Sequence, residues 1–88
     1  MLTERENILI ECLVKDYIAK GNAISSDRLL EKTGLKYSTA TIRKDLIKLE
    51  SLGLVESTHV SSGRVPTVKG YRYYIDNNLK RKPLSKSE

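Results

Sequence analysis

Large aromatic residues and cysteine are scarce in this 88-residue chain, which has no Trp, no Phe, one Cys and one His. A single cysteine cannot form an internal disulfide, which argues against a small secreted fold held together by disulfides. One Cys and one His also cannot supply a zinc ligand set. Leu, Ile, Val and Tyr must therefore fill the core of one small domain, with little room for an enclosed substrate cavity.

Long apolar runs are also missing. No run approaches the ~20 residues needed to cross a bilayer, and the N-terminus, Met-Leu-Thr-Glu-Arg, does not resemble a signal peptide. We therefore expect a cytoplasmic protein with no membrane partner. No Ser-His-Asp arrangement and no glycine-rich phosphate loop can be argued from the sequence. The chain is expected to be neither an enzyme nor a cofactor-binding protein.

Positive charge is present and unevenly placed. Residues 1–63 hold nine Lys or Arg and nine Asp or Glu, whereas residues 64–88 hold seven Lys or Arg and only two acids. The C-terminal quarter therefore carries the whole net charge of +5. Such asymmetry favours an anionic partner, although a solvated basic tail would also account for Lys80 to Lys82.

Three helices are predicted in the first 52 residues. Thr3 and Glu6 form a capping box ahead of apolar residues at helical spacing, which predicts a helix over about 3–20. Ser25 or Ser26 can cap a second helix over about 26–33. Ser38 can cap a third helix that runs to about Leu52. The second and third helices, joined by a four-residue turn that starts at Gly34, make a helix-turn-helix.

A β-hairpin and a last helix follow. Residues 54–57 read as one strand, and Arg64–Val65 as the returning strand. Pro66 cannot donate to a ladder, so it predicts the end of an edge strand. Residues 22–24 are a candidate for one further short strand, and Thr67 for the cap of the last helix. The predicted fold is mainly α with a small β-hairpin (α+β), a winged helix-turn-helix over 1–76 with a basic polar tail or linker over 77–88.

The third helix has two different faces. On a helical wheel, Ile42, Leu46 and Leu49 share a narrow sector that must face the core. The opposite sector, apart from Ile47, carries hydroxyl, methyl and ammonium groups and no carboxylate; its members are Tyr37, Ala40, Thr41, Lys44, Ile47 and Lys48. This chemistry suits the base edges and phosphates of a major groove, although an ordinary solvated face is the alternative.

Two further features support DNA binding. Ser38, Thr39 and the first amides of the third helix can hold a phosphate, besides the capping role of Ser38. The predicted wing tip, Ser61-Ser-Gly-Arg64, surrounds a cation with small donors, and Gly63 permits positive φ and a close backbone approach. Arg64 is placed to enter a minor groove or to clamp a phosphate, unless the segment is a plain hairpin turn.

The predicted DNA contacts follow from these faces. In the major groove we expect Tyr37, Thr39, Thr41 and Lys44. On the backbone we expect Lys36, Arg43 and Lys48, with Ser38 at the helix start that can hold a phosphate; Arg43 could instead brace the hairpin. The wing would add Ser62 and Arg64, with His59 and Lys69 as weaker candidates. The alternative functions are a winged-helix protein-interaction module and an RNA-binding module.

The first helix leaves a question about self-association. Ile8 and Cys12, four residues apart, lie outside its main apolar stripe. They either tuck beneath the C-terminal helix or form a homodimer contact, which DNA-binding proteins often need to grip two half-sites.

Several segments resemble the N-terminal DNA-binding domain of the heat-inducible transcription repressor HrcA family, over about residues 2–76. They are Leu2-Thr-Glu-Arg5, Ser38-Thr-Ala-Thr-Ile-Arg-Lys-Asp-Leu46, Leu49-Glu-Ser-Leu-Gly-Leu54 and, most specifically, Ser61-Ser-Gly-Arg-Val-Pro-Thr67 with Lys69-Gly-Tyr-Arg-Tyr-Tyr74. DeoR-type repressors carry a similar Thr-Ile-Arg-Lys-Asp-Leu stretch. The resemblance implies a winged-helix repressor that binds an inverted-repeat operator upstream of chaperone genes in the stress response. Family members are much longer, so the chain is either an excised domain or a stand-alone relative.

Overall fold

The computed structural model describes residues 2–58 and 63–81, with side chains described as far as Asn78. Four helices and one antiparallel hairpin make up the described part of the chain. In order they are α1 Glu4–Lys20, α2 Ser26–Thr33, α3 Thr39–Ser51, β1 Val55–Ser57, β2 Arg64–Pro66 and α4 Val68–Arg81. The predicted winged helix-turn-helix is confirmed.

The helix starts follow the predicted capping residues. The Glu6 amide donates to the Thr3 hydroxyl at 3.1 Å and the Thr3 amide donates to the Glu6 carboxylate at 2.9 Å, so the capping box of α1 is complete. Ser25, rather than Ser26, caps α2, and Ser38 caps α3. Each cap satisfies an amide that has no partner within its own helix.

The core lies between α1, α2, α3 and the base of the hairpin. Ile42, Leu46 and Leu49 are fully buried, as the wheel predicted for the inner face of α3. They meet the buried stripe of α1 and the first residues of the hairpin, and partly buried tyrosines of α4 pack against the same cluster. No helix in the described ranges is both long and apolar enough to cross a membrane.

A third segment of the chain pairs with the hairpin. β1 and β2 pair antiparallel with Val55 opposite Pro66 and Ser57 opposite Arg64. On the other side of β2, Ile24 and Arg64 exchange both backbone hydrogen bonds at 2.9 Å. The predicted strand at 22–24 is thus a single bridging residue, and β2 ends at Pro66 as predicted, in a sheet of two strands. Proline is tolerated because it lies at the far end of β2, two residues beyond that bridge.

Two glycines allow backbones to approach closely. A Cβ at Gly70 would lie 2.1 Å from the carbonyl oxygen of Leu54, so only glycine lets α4 start against the hairpin. A Cβ at Gly63 would lie 2.9 Å from the Cβ of Ala23. The positive φ values of the described residues occur at other glycines, so Gly63 does not use the positive φ that its lack of a side chain permits. Gly63 is needed for space against the chain's own backbone.

The last helix is longer than expected. α4 continues to Arg81, five residues past residue 76, where the polar composition had suggested a tail. Two side chains join it to α1, since the Tyr73 hydroxyl donates to the Asn7 side-chain oxygen and the Asn77 amide donates to the same atom at 3.5 Å. A polar sequence can thus continue a helix when one side of it is held by a neighbour. The domain boundary at 76 stays a prediction.

Candidate nucleic-acid interface

The outer side of α3 is open to solvent. Tyr37 and Ile47 are 48% and 54% exposed. Lys36, Lys44 and Lys48 are also exposed, while Thr41 is half-buried. The predicted contacts Lys44 and Lys48 therefore lie on the exposed side of α3, with the core on the other side, and Lys36 and Tyr37 are exposed in the turn before the helix.

Hydroxyl groups surround the N-terminus of α3. The Ser38 hydroxyl accepts from the Thr41 amide at 3.1 Å and lies 3.0 Å from the Thr41 hydroxyl. The Thr39 hydroxyl donates to the Asp27 carboxylate of α2 at 3.1 Å. These bonds orient the helix start, so Ser38 and Thr39 fix the local geometry as well as offering polar atoms to a ligand.

The cations around α3 fall into two groups. In the described ranges, no salt bridge involves Lys36, Arg43 or Lys44. Lys48 instead lies 3.3 Å from the Glu6 carboxylate of α1. The outer residues of α3 include no carboxylate, as expected. The Glu6 carboxylate of α1 nevertheless lies beside Lys48, because α1 packs next to α3. The Thr3 amide, and next Lys48, lower the pKa of Glu6.

Arg64 does not project from the wing tip. It is the first residue of β2, its side chain is only 13% exposed, and its Nε lies 3.3 Å from Glu50 of α3. The sequence placed it at the tip because it follows Gly63, but pairing with Ile24 draws this end of the strand into the domain. The guanidinium braces the hairpin against α3, a role the sequence had suggested for Arg43. Arg43 is exposed beside the N-terminus of α2.

Lys69 also contacts α3. Its Nζ donates to the Leu52 carbonyl oxygen at 3.0 Å, at the C-terminal end of the helix, where a cation complements the helix dipole. The Thr67 hydroxyl donates to the next carbonyl, that of Gly53, and accepts from the Gly70 amide at 3.0 Å. Thr67 thus caps α4 as predicted. The predicted wing contacts His59 and Ser62 lie outside the described residues.

The surface with Ile8 and Cys12 lies between α1 and α2. Both side chains are half-buried and line a shallow depression of about 360 Å³ with Lys32 and Thr33. Ile8 also lines a second depression together with Asn77 of α4. Ile8 therefore lies near the C-terminal helix, beneath which both residues were predicted as one alternative, whereas Cys12 does not line that depression. Burial raises the pKa of the Cys12 thiol. The homodimer contact stays a prediction.

The sequence analysis missed one contact near the interface. Arg5 of α1 donates through Nε and Nη2 to the Asp45 carboxylate of α3, and its guanidinium carbon lies 4.6 Å from the centre of the Tyr37 ring. Asp45 is buried, on the inner side of α3 between Ile42 and Leu49. A carboxylate at an inner position needs a partner. That need could have flagged Asp45, but 40 residues separate it from Arg5.

Comparison with known proteins agrees with this geometry. The pattern of the DeoR-like helix-turn-helix domain matches residues 5–64. The chain is 48% identical over its whole length to the heat-inducible transcription repressor HrcA of Pediococcus pentosaceus and 42% identical to that of Bacillus pumilus. It spans 25% and 26% of those two proteins, in their N-terminal region.

A solved structure has the same fold. The crystal structure of a hypothetical protein at 2.2 Å resolution superimposes with a TM-score of 0.91 and 41% sequence identity. The match covers all of this chain and 27% of the other. Since the helix-turn-helix pattern alone covers more than half of the residues, the chain belongs to the DeoR-like helix-turn-helix domain family.

Proposed function

We propose that this chain binds duplex DNA of a defined sequence and represses transcription by blocking access to a promoter. The observation that carries the proposal is the exposed surface of α3 and of the turn before it, where Lys36, Arg43 and Lys44 form no salt bridge within the described ranges. Cations that are not already neutralised can displace counterions from phosphates, which supplies most of the affinity of a DNA-binding protein.

The proposed contacts are divided between bases and backbone. In the major groove, Tyr37, Thr39, Thr41 and Lys44 would meet base edges, and the exposed Ile47 would meet a thymine methyl group. Lys36, Arg43 and Lys48 would contact phosphates, with Ser38 and the start of α3. On the wing, His59 and Ser62 would complete the set. For Arg64 and Lys69, the contacts with Glu50 and Leu52 favour a bracing role over the predicted contact with DNA.

The proposed operator is an inverted repeat bound by two copies. Two-fold related half-sites about one helical turn apart are the usual target of dimeric helix-turn-helix proteins. The two HrcA relatives are named heat-inducible transcription repressors. By this likeness we propose that the regulated genes belong to the stress response. The proposed action is non-catalytic and takes place in the cytoplasm.

The test is selection of fragments from a pool of random duplexes, followed by binding measurements at fixed salt. We expect a palindromic consensus, bound roughly 10³-fold or more tightly than random duplex. A preference for single strands or hairpins would instead indicate RNA binding. Weak, salt-labile affinity without a consensus would point to a protein-interaction module.

A further inference from the structure

We propose that Arg5, on α1, is a positioning residue that sets base discrimination by holding Tyr37 at the start of the recognition helix. This inference rests on the proposed DNA-binding function. Arg5 belongs to neither the helix-turn-helix nor the wing, and its effect would be exerted through a stacked ring and not through a contact with a base.

Asp45 fixes the plane of the guanidinium. The Arg5 Nη2 donates to Asp45 Oδ1 at 3.1 Å while Nε donates to Oδ2, so the guanidinium and the carboxylate form a bidentate (forked) pair. Such a paired contact defines the orientation of the guanidinium as well as its position. The Asp45 side chain is 10% exposed, which protects the pair from competing water.

The same guanidinium then orients Tyr37. Tyr37 lies in the turn just before the Ser38 cap, outside any helix or strand, and its side chain is about half exposed. The Arg5 guanidinium carbon lies 4.6 Å from the ring centre, within the range of a favourable cation–π contact. The buried carboxylate of α3 thus sets the position of a ring at the opening of that helix, by way of α1.

Lysine cannot replace arginine in this arrangement. Its ammonium has the same charge but neither the planar fork that Asp45 meets nor the flat surface that stacks on the ring. Arg5→Lys therefore removes the positioning and keeps the charge. This separates a positioning role from a direct phosphate contact, which lysine would largely preserve.

The chain contains a matched control. Arg28 of α2 donates through Nε to Asp16 of α1 at 2.9 Å and through Nη2 at 3.5 Å. The two arginines are nearly equally exposed, at 35% for Arg28 and 33% for Arg5, and both aspartates are buried. Because the Arg28 fork joins α2 to α1 and not to α3, Arg28→Lys reproduces the loss of a fork without releasing Tyr37. Lys32 also lies 3.4 Å from Asp16, so the two variants are matched in the fork that is lost and not in the cations that remain.

The experiment measures the dissociation constants of the whole chain for its selected operator and for random duplex, at several salt concentrations. For Arg5→Lys we expect the ratio of the two constants to fall about tenfold, the size of one poorly read base pair. Affinity for random duplex and its salt slope should not change. Arg28→Lys should keep the ratio. Tyr37→Leu should lower it, and adding Arg5→Lys to Tyr37→Leu should lower it no further.

Several results would overturn the proposal. They are an unchanged ratio in Arg5→Lys, an equal fall in Arg28→Lys, or a parallel loss of affinity for both duplexes. If Arg5→Lys does not fold, Tyr37→Leu still tests the proposal, since this half-exposed turn residue is not part of the buried core. A Tyr37→Leu chain that discriminates operator from random duplex as well as the wild type does would contradict the proposal. A wild-type chain with no preferred duplex would overturn the proposed function itself, and this inference with it.

Discussion

The two ends of the recognition helix differ in how their charges are used. Residues 36–44, the reading end, carry three cations without a salt bridge in the described part of the chain. Residues 45–52, the anchored end, are bonded to α1, β2 and α4 through the partners of Asp45, Lys48, Glu50 and Leu52. A helix that binds DNA needs cations that are free to contact phosphates, and it needs a fixed orientation relative to the rest of the domain. The cations of the reading end lie in the turn before α3 and in its N-terminal half, and the contacts that fix its orientation lie in its C-terminal half.

The start of α4, which places Lys69 against the anchored end, lies too close to the base of the hairpin to admit a side chain at Gly70. Gly70→Ala would place a Cβ 2.1 Å from the Leu54 carbonyl oxygen, so the backbone must shift. We expect a loss of about 3 kcal/mol in the free energy of unfolding, measured by urea denaturation. Gly21→Ala is the control, since Gly21 has a φ of +73° but open space around it. It should cost about 1 kcal/mol, and equal losses in the two variants would contradict the steric explanation.

The reading end is tested by comparing two lysines of one helix. Lys44→Ala should weaken operator binding about tenfold at physiological salt and lower the slope of log K against log salt by about one unit. Lys48→Ala should lower the slope less, because Lys48 already lies 3.3 Å from Glu6. Binding titrations at several salt concentrations give both slopes, with Lys20→Ala at the end of α1 as control. Equal slopes for the Lys44 and Lys48 variants would erase the distinction between the two ends.

The two serine caps separate stability from binding. Ser25→Ala and Ser38→Ala each remove a side-chain acceptor for an amide, to Arg28 and to Thr41 respectively. Each should lower the free energy of unfolding by about 1 kcal/mol. Only Ser38→Ala should also weaken operator binding, by a few-fold, because it disturbs the reading end. Matched thermal melts and titrations test this, and equal binding by both variants would restrict Ser38 to a capping role.

Low pH should reduce the folding stability that Glu6 of α1 contributes through its contact with Lys48 at the anchored end. Its pKa lies below the ordinary value of 4.5 because the Thr3 amide and Lys48 favour the carboxylate. The unfolded chain therefore binds more protons in this range, so the stability from Glu6 is present above about pH 4.5 and is lost as the pH falls through the folded pKa. Denaturation from pH 7 to pH 3 should show a shallower loss in Glu6→Gln than in the wild type. Identical pH profiles would exclude Glu6 as a contributor.

Local features of the fold could be predicted because they depend on neighbours in the sequence. The capping box at Thr3, the cap at Ser38 and the inner stripe of Ile42, Leu46 and Leu49 all arise within one or two helical turns. The exposure of Lys44 follows from the same periodicity, since a residue opposite the core stripe must face outward.

Contacts between distant segments could not be predicted in this way. Arg5 with Asp45, Arg64 with Glu50 and Lys69 with the Leu52 carbonyl join residues 40, 14 and 17 positions apart. The sequence by itself determined where helices begin, which side of α3 is buried and which cations it presents, because periodicity and capping are short-range. Only the tertiary structure decided which cations are already paired, since that depends on which elements pack side by side and how closely their backbones approach.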